Sequence, residues 1–328
     1  MSDPQQHPGR FDVHHHALPR PYQKALDSSG APQLKGVDPI HWDVDSDREV
    51  MRDNDIRGAL LSVTAPGTTI VPGPEAIRLA RDTNEEFARL VADNDGAYGA
   101  FALLPLPDAT AAIAEIDHAV DELGLDGVGL FSNSAGVYLG DEQLEPVLAH
   151  LAEREITAFV HPAIPASTDQ ATFGLPPSLY EFTFDTTRAV ANLLYSGTLD
   201  RHPGLKLVLS HAGGTVPFLA QRLTYAATIA SRLKDREPAD LLGSLRRLYY
   251  DTAMSANRAT LAALTELVGP EHILFGSDYP YMPASTTRET VEGVVEFFSP
   301  ADRELLERRN FEVLFPRFCA RAKTFAAR

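Results

Sequence analysis

Cysteine, long apolar runs and basic clusters are scarce in this chain, and each shortage excludes a class of protein. Cys319 is the only cysteine in 328 residues, so an internal disulfide and a thiolate-rich metal site are excluded, and a cytoplasmic location is expected. Apolar stretches of about 18 residues are missing, so we expect no membrane span, and no signal peptide is evident. The net charge is −16 without an extended Lys/Arg cluster, so nucleic acid is not an expected partner.

Short apolar runs alternate with amphipathic segments along most of the sequence, which predicts a (β/α)8 TIM barrel in a single domain over residues 1–328. Helical spacing of apolar residues fills the gaps between the runs, as in 74–95. An open, doubly wound sheet is the alternative, but no Gly-x-Gly-x-x-Gly follows the first run. The strand-like runs are 11–16, 58–63, 99–104, 127–131, 156–161, 205–211, 248–251 and 273–278.

Two long connections are expected to form binding loops or lids over the mouth of the barrel. Residues 17–55 follow the first run and are rich in Pro, Asp and Gly, whereas residues 162–184 follow the fifth run and contain four prolines. Asp185 is predicted to cap the helix that begins there, because an Asp side chain accepts hydrogen bonds from the unpaired N–H groups at a helix start.

Histidines and one aspartate stand where several predicted strands end. His14 and His16 are two residues apart, so on a strand their side chains point the same way. His161, His211 and Asp278 end later strands, and the C-terminal ends of barrel strands share the face that carries the active site. A single strand-ending histidine is more often structural, but its recurrence at several strands favours one shared metal site. Imidazole suits zinc, iron, nickel or copper, and manganese where carboxylates join.

Two further polar residues on the first strand are expected to support this site from behind. Asp12 lies between the apolar residues Phe11 and Val13, so it is either buried and paired or a partner of the ligands. His15 points away from its two histidine neighbours. We therefore expect His15 to pack or to hydrogen-bond on the far side of the strand.

Four segments of the chain resemble the amidohydrolase-related decarboxylases, the group that contains aminocarboxymuconate-semialdehyde decarboxylase. The resemblance extends from about residue 10 to about residue 316 and is strongest toward the branch of 6-methylsalicylate-type decarboxylases. Secondary matches lie at 104–107 and 184–189. The principal matches are Asp12-Val13-His14-His15-His16, Phe159-Val160-His161-Pro162, Ser210-His211-Ala212-Gly213-Gly214 and Gly276-Ser277-Asp278-Tyr279-Pro280.

This resemblance implies roles for individual residues. His211 would be the unliganded catalytic histidine. Arg222 would reach into the neighbouring subunit's site and hold a substrate carboxylate, so a homodimer is expected. The family lacks a carboxylated lysine bridging two metals, and strand four here likewise ends without a lysine. One divalent metal, zinc or manganese, would be held by four ligands: His14, His16, His161 and Asp278.

These residues suit a decarboxylase of a small-molecule carboxylic acid, either aromatic and ortho-hydroxybenzoate-like or muconate-type. Loss of CO2 leaves an electron pair on carbon, so the reaction needs an electron sink and a proton donor. A metal can orient the carboxylate and a neighbouring hydroxyl, Asp278 can protonate the ring carbon, and His211 can hydrogen-bond the substrate or activate water. Hydrolysis of an amide, ester or lactone, or hydration of an unsaturated diacid, uses the same ligands and stays the alternative.

Aromatic side chains near the predicted strand ends are candidates for the wall that packs the substrate ring. Ordinary core packing is the competing use of such residues. The candidates for substrate contact are Phe184 and Tyr279, together with Phe182 and Trp42.

Overall fold

A computed structural model describes residues 9–30, 40–94, 96–165, 173 and 175–326. Eight strands form one parallel sheet in the order β1-β2-β3-β4-β7-β8-β9-β10, and β5 and β6 form a separate antiparallel hairpin. The strands are β1 (Arg10–His16), β2 (Ile56–Ser62), β3 (Tyr98–Ala102), β4 (Gly127–Phe131), β5 (Asn133–Ser134), β6 (Val137–Tyr138), β7 (Ala158–His161), β8 (Leu207–Leu209), β9 (Tyr249–Asp251) and β10 (Ile273–Leu274).

The ring closes between β1 and the segment that continues β10. The backbone N–H of Val13 donates to Phe275 O over 3.0 Å, and that of His16 donates to Tyr279 O over 2.8 Å. Helices follow the strands around this ring, so the predicted TIM barrel is confirmed. The assignment of residues 1–328 to a single domain stays a prediction.

Fifteen α-helices lie in the described part of the chain. No helix there combines the length and the apolar character needed to cross a bilayer. The helices are α1 (Arg20–Ser29), α2 (Val44–Asp53), α3 (Gly73–Asp93), α4 (Ala109–Asp117), α5 (Glu145–Glu153), α6 (Glu181–Ser196), α7 (Thr198–Arg201), α8 (Val216–Thr224), α9 (Ala226–Ile229), α10 (Pro238–Arg246), α11 (Arg258–Leu267), α12 (Ala284–Phe297), α13 (Pro300–Glu304), α14 (Asn310–Leu314) and α15 (Pro316–Ala326).

Two expectations about the connections need correction. Residues 17–55 are not a plain loop, since they contain α1 and α2, and α2 is capped by Asp43, which accepts a hydrogen bond from Ser46 N over 3.0 Å. Helix α6 begins at Glu181, so Asp185 lies inside the helix and is not its cap. The Asp185 carboxylate is used for tertiary contacts instead. Residues 166–172 and 174 of the predicted second loop lie outside the described residues.

Aromatic residues fill the end of the barrel opposite the ligand-bearing strand ends. Phe11 stacks on Phe311 with ring centroids 4.6 Å apart, and Phe101 stacks on Phe159 at 5.3 Å. Phe318 packs edge-on against Phe11. Helices α14 and α15 therefore supply the hydrophobic plug of this end, which leaves the C-terminal ends of the strands as the open face.

Candidate metal centre and active site

Four of the predicted residues meet at the C-terminal face of the barrel. His14, His16, His161 and Asp278 each place one potential ligand atom so that all four atoms lie within 4.8 Å of one another. The Nε2 atoms of His14 and His16 are 3.0 Å apart, and each lies 3.1 Å from Oδ1 of Asp278. All four side chains are buried. Imidazole nitrogens gathered around one carboxylate oxygen form a ligand set for a divalent transition metal.

The second nitrogen of each ligand histidine is held by an acceptor. Nδ1 of His14 lies 2.6 Å from Oδ2 of Asp251, and Nδ1 of His16 lies 2.9 Å from Ser62 Oγ. Nδ1 of His161 lies 2.8 Å from the carbonyl oxygen of Pro162. With Nδ1 donating to its acceptor, Nε2 is the nitrogen left for a cation at the centre of the cluster, which is the usual arrangement of metal-bound histidine.

Burial and charge set the protonation of the cluster. Burial lowers the pKa of His16 and holds that of His161 well below its ordinary value, so these imidazoles are neutral. Burial also lowers the pKa of His14, but the charges of Asp251 and Asp278 outweigh it and raise that pKa to about 10. Burial would raise the pKa of Asp278, yet the positive His14 beside it holds the pKa well below its ordinary range. A bound cation would therefore replace the proton of His14.

Asp251, at the end of β9, is a functional residue that the sequence reasoning missed. Oδ2 of this carboxylate contacts His14, while Oδ1 accepts hydrogen bonds from the backbone N–H groups of His211 over 2.7 Å and Ala253 over 3.0 Å. One buried carboxylate thus contacts both His14 and the turn that carries His211. The signal was present, because Asp251 ends a predicted strand as the other site residues do.

His15 lies behind the cluster in a buried chain of hydrogen bonds, as predicted. Its Nδ1 is 2.9 Å from Oδ2 of Asp12, and its Nε2 is 2.8 Å from Oδ1 of Asp47. Burial lowers the pKa of His15, but the two carboxylates raise it to about 10. Asp47 also accepts hydrogen bonds from Trp42 Nε1 over 3.0 Å and from Tyr98 OH over 2.5 Å. This chain anchors α2 to the strand that bears the first two ligands.

His211 stands beside the cluster but outside its ligand set. Its Nε2 lies 3.5 Å from Oδ2 of Asp278, and its Nδ1 is buried without a hydrogen-bond partner. The backbone at His211 has φ of 53°, in the left-handed region that is costly for a residue with a Cβ. Gly214 lets this turn approach α6, because a Cβ there would lie 2.2 Å from Thr183 O. The strained turn holds the imidazole of His211 next to the carboxylate of Asp278.

A cavity of about 320 Å³ opens from the cluster and reaches His161, His211 and Asp278. Its wall is mainly apolar, and among the described residues that line it there is neither lysine nor arginine. Tyr281 lines this cavity, and its hydroxyl is buried without a hydrogen-bond partner, so that burial raises its pKa well above the ordinary value. The phenol is therefore neutral. Further wall residues are Phe182, Leu179, Met254, Met282, Thr64 and Ser255.

A model of the amidohydrolase family matches residues 11–317 of this sequence. The chain belongs to the amidohydrolase family. A 6-methylsalicylic acid decarboxylase from Penicillium expansum is 38% identical over 278 residues, which cover 84% of this amidohydrolase and 86% of that protein.

Solved structures show the same fold. The crystal structure of an amidohydrolase II protein has a TM-score of 0.86 at 28% identity, over 93% of this chain and 99% of that one. A dihydroxybenzoic acid decarboxylase from Polaromonas sp. JS666, crystallised with manganese and the inhibitor 2-nitroresorcinol, has a TM-score of 0.79 at 24% identity over 94% and 97% of the two chains. The predicted family of metal-dependent decarboxylases is confirmed, in preference to a hydrolase or hydratase.

Two predicted substrate contacts of this amidohydrolase are not among the residues that line the cavity. Phe184 is 44% exposed. Two residues along an α-helix correspond to a rotation of about 200°, so the side chain of Phe184 points away from the direction of Phe182. Tyr279 packs on the other side of β1, with its ring centroid 5.5 Å from that of His15. Phe182 and Tyr281, each two residues away, line the cavity instead.

The third predicted contact, Arg222, lies on the outer surface. It is exposed on α8, and within the described part of the chain no ion pair to it is found. Phe218 and Ile229 beside it are 82% and 83% exposed, and Tyr225 is also exposed. Positions 218, 222, 225 and 229 follow helical spacing across α8 and α9, so they share one face.

Proposed function

We propose that this amidohydrolase is a metal-dependent, non-oxidative decarboxylase of a 2-hydroxybenzoate, with a muconate-type acid as the second substrate class to test. The buried cluster of three histidines and Asp278 at the end of an apolar cavity carries the proposal. The similarity to a protein named 6-methylsalicylic acid decarboxylase makes 6-methylsalicylate the first compound to try.

We assign the metal to His14, His16, His161 and Asp278. The fit rests on the three Nδ1 atoms, whose acceptors leave the Nε2 atoms for the cation, and on the four potential ligand atoms lying within 4.8 Å of one another. A divalent cation bound there would act as a Lewis acid for the substrate's carboxylate and adjacent hydroxyl. The ligand set accepts zinc and manganese alike, so the choice between them is left to measurement.

Asp278 and His211 would transfer the proton that replaces CO2 on the ring. Replacing CO2 by hydrogen on the ring requires one proton at the carbon that carried the carboxylate, and the electron pair of the broken C–C bond returns to the ring. The pKa of Asp278 lies well below its ordinary range because of His14, so the resting carboxylate is ionised. His211, with Nε2 3.5 Å from Oδ2 of Asp278, is placed to supply the proton through that carboxylate.

The cavity wall suits an aromatic ring that carries a single carboxylate. Phe182, Leu179 and the two methionines offer apolar surface, and Tyr281 is a further aromatic residue of the lining. Because no described cationic side chain lines the cavity, a second carboxylate would have no cationic partner among the described lining residues. We therefore rank a monocarboxylate above a diacid.

We further propose a homodimer in which Arg222 serves the partner's active site. The exposed apolar residues Phe218, Tyr225 and Ile229 surround this arginine, and an exposed apolar patch of this kind is typical of a protein interface. A second copy would cover the patch and bring the unpaired guanidinium to a carboxylate. A cytoplasmic location and a role in aromatic catabolism also remain predictions.

Metal-dependent CO2 release is the test of this function. Metal-stripped protein is incubated with zinc or manganese and a panel of 2-hydroxybenzoates and aminocarboxymuconate semialdehyde, and CO2 and the product arene are quantified. We expect release from 6-methylsalicylate only after metal is restored. Protein that binds one metal per chain yet releases no CO2 from any compound would contradict the proposal, and esters, lactones and unsaturated diacids would be tried next.

A further inference from the structure

Two methionines separate the active-site cavity from a second cavity next to it. Met254 and Met282 line both spaces. The second space, named the outer cavity here, has a volume of about 240 Å³, and its other lining residues are Ala256, Asn257, Thr286, Glu289 and Thr290. We propose that Met254 and Met282 form a wall that sets the length of the ring substituent the enzyme accepts. This inference rests on the proposed function.

Both wall residues lie within four residues of a carboxylate residue of the site. Met254 is three residues past Asp251, whose Oδ1 accepts a hydrogen bond from Ala253 N over 3.0 Å, and the Met254 backbone has φ of 52° in the left-handed region. The backbone N–H of Met282 donates a hydrogen bond to the backbone carbonyl oxygen of Asp278 over 3.1 Å. The turns that position the two carboxylates therefore also position the wall.

The outer cavity is built into the backbone around it. Helix α12 approaches the loop after β9 so closely that a Cβ on Gly293 would lie 1.8 Å from Ala256 O. On the other side, Asn257 caps α11, with Oδ1 accepting a hydrogen bond from Thr260 N over 3.1 Å. Since these contacts do not involve the methionine side chains, the space would persist when those side chains are shortened.

The lining of the outer cavity selects the substituent that would fit. Besides the two thioether side chains, the lining includes the hydroxyl-bearing residues Thr286 and Thr290 and the exposed Glu289. An alkyl chain, with or without a terminal hydroxyl, suits a lining of this composition. A chain that ends in a carboxylate would be repelled by Glu289. We infer that shortening the wall admits longer neutral alkyl groups.

The test compares methyl-bearing and pentyl-bearing 2-hydroxybenzoates, with the alkyl group at ring position 4, 5 or 6. The proteins are the metal-loaded wild type, Met254→Ala and Met282→Ala, and the readouts are kcat/KM and calorimetric affinity. Each methylene that enters an apolar space adds about fourfold to affinity. We expect the pentyl-to-methyl ratio to rise at least about tenfold for one ring position in one or both alanine variants.

Matched variants separate the wall from a general loosening of the cavity. Met254→Leu and Met282→Leu conserve volume and should keep the wild-type ratio. Leu179→Ala enlarges the active-site cavity without opening the outer one, so it should not reproduce the gain. Met254 is 43% exposed and Met282 is half-buried, and melting temperatures will test whether the alanine variants fold.

Each result has one meaning. The proposal that Met254 and Met282 limit the substituent is wrong if the folded alanine variants keep the wild-type pentyl-to-methyl affinity ratio at all three ring positions. A similar gain in Leu179→Ala would also overturn it. Metal-loaded wild type that releases no CO2 from any compound of the panel overturns the proposed function. The calorimetric affinity ratio would still decide whether the methionines divide the two spaces.

Discussion

Asp251 lies behind His14, a proposed metal ligand, and we expect its charge to affect how tightly a cation is held. The 2.6 Å contact between its Oδ2 and Nδ1 of His14 makes the imidazole more basic. Asp251→Asn keeps the shape and one acceptor but loses the charge. We expect metal affinity to fall about 10–100-fold, measured by competition with a chelator. Asp82→Asn, on the exposed face of α3, is the matched control, and equal affinity in both variants would contradict this role.

His211 differs from the other histidines of the cluster because its Nε2 faces Asp278 Oδ2 instead of the shared centre. His211→Asn should therefore keep one metal per chain and lose about 10²–10⁴ in kcat, the usual cost of removing a general acid or base. His161→Asn should lose the metal itself. Elemental analysis of both purified variants distinguishes the two roles, and metal loss from His211→Asn would show that His211 is a ligand.

The proton on His14 makes metal binding depend on pH. Burial lowers the pKa of His14, but Asp251 and Asp278 raise it to about 10, so the metal-free protein carries this proton at neutral pH. A cation must displace it, and the apparent metal affinity should increase as the pH rises from 6 toward 10. Chelator competition at several pH values measures the slope. A flat profile would mean that His14 is already neutral in the metal-free protein.

Asp185 joins three segments of the chain around the active site. Its carboxylate accepts hydrogen bonds from Ser132 Oγ, from Asn133 Nδ2 over 2.8 Å and from Tyr138 OH over 2.5 Å. Ser132 Oγ in turn accepts from Ala163 N over 2.8 Å, in the loop that follows the ligand strand β7. Helix α6, the hairpin of β5 and β6, and this loop are thus held by one buried charge.

Asp185→Ala leaves these donors without their acceptor. We expect the free energy of unfolding to fall by about 1–3 kcal/mol for each donor that stays buried and unpaired. Urea denaturation of the metal-loaded protein measures the loss, with Asp82→Ala expected to change stability by less than about 0.5 kcal/mol. Metal content should be unchanged. Equal midpoints for the two variants would show that water replaces Asp185 at little cost.

The secondary-structure elements explain why some site residues and helices could be predicted from the sequence and others could not. His14 and His16 were predictable because strand periodicity fixes their common face, and Asp278 because barrel strands end at one mouth. Helix α1 was missed because its apolar side, Tyr22 and Leu26, is too short for a clear period. Tyr281 could not be separated from Tyr279, because the strand pairing that orients them involves the irregular segment after β10.

The location of Arg222 leads to a prediction about the activity of a dimer built from two different variant chains. This residue is exposed on α8 among apolar side chains that are exposed as well, whereas the described lining of its own cavity holds no cation. If Arg222 serves the partner's site, Arg222→Ala and His211→Asn damage the same site from different chains. Each homodimer variant should therefore be nearly inactive.

Co-expression of these two variants shows whether Arg222 acts in the active site of its own chain or in that of the partner. The symmetry of the dimer fixes the activity expected in each case. In a mixed dimer, the chain with Arg222→Ala keeps its own His211 and receives Arg222 from its partner, so one of the two sites is complete. Random pairing should restore about a quarter of wild-type activity. An arginine acting within its own chain leaves every site broken, and activity stays at the level of the single variants. Phe218→Asp added to both chains should abolish the recovery by separating the subunits, which sizing chromatography would detect as a halved mass.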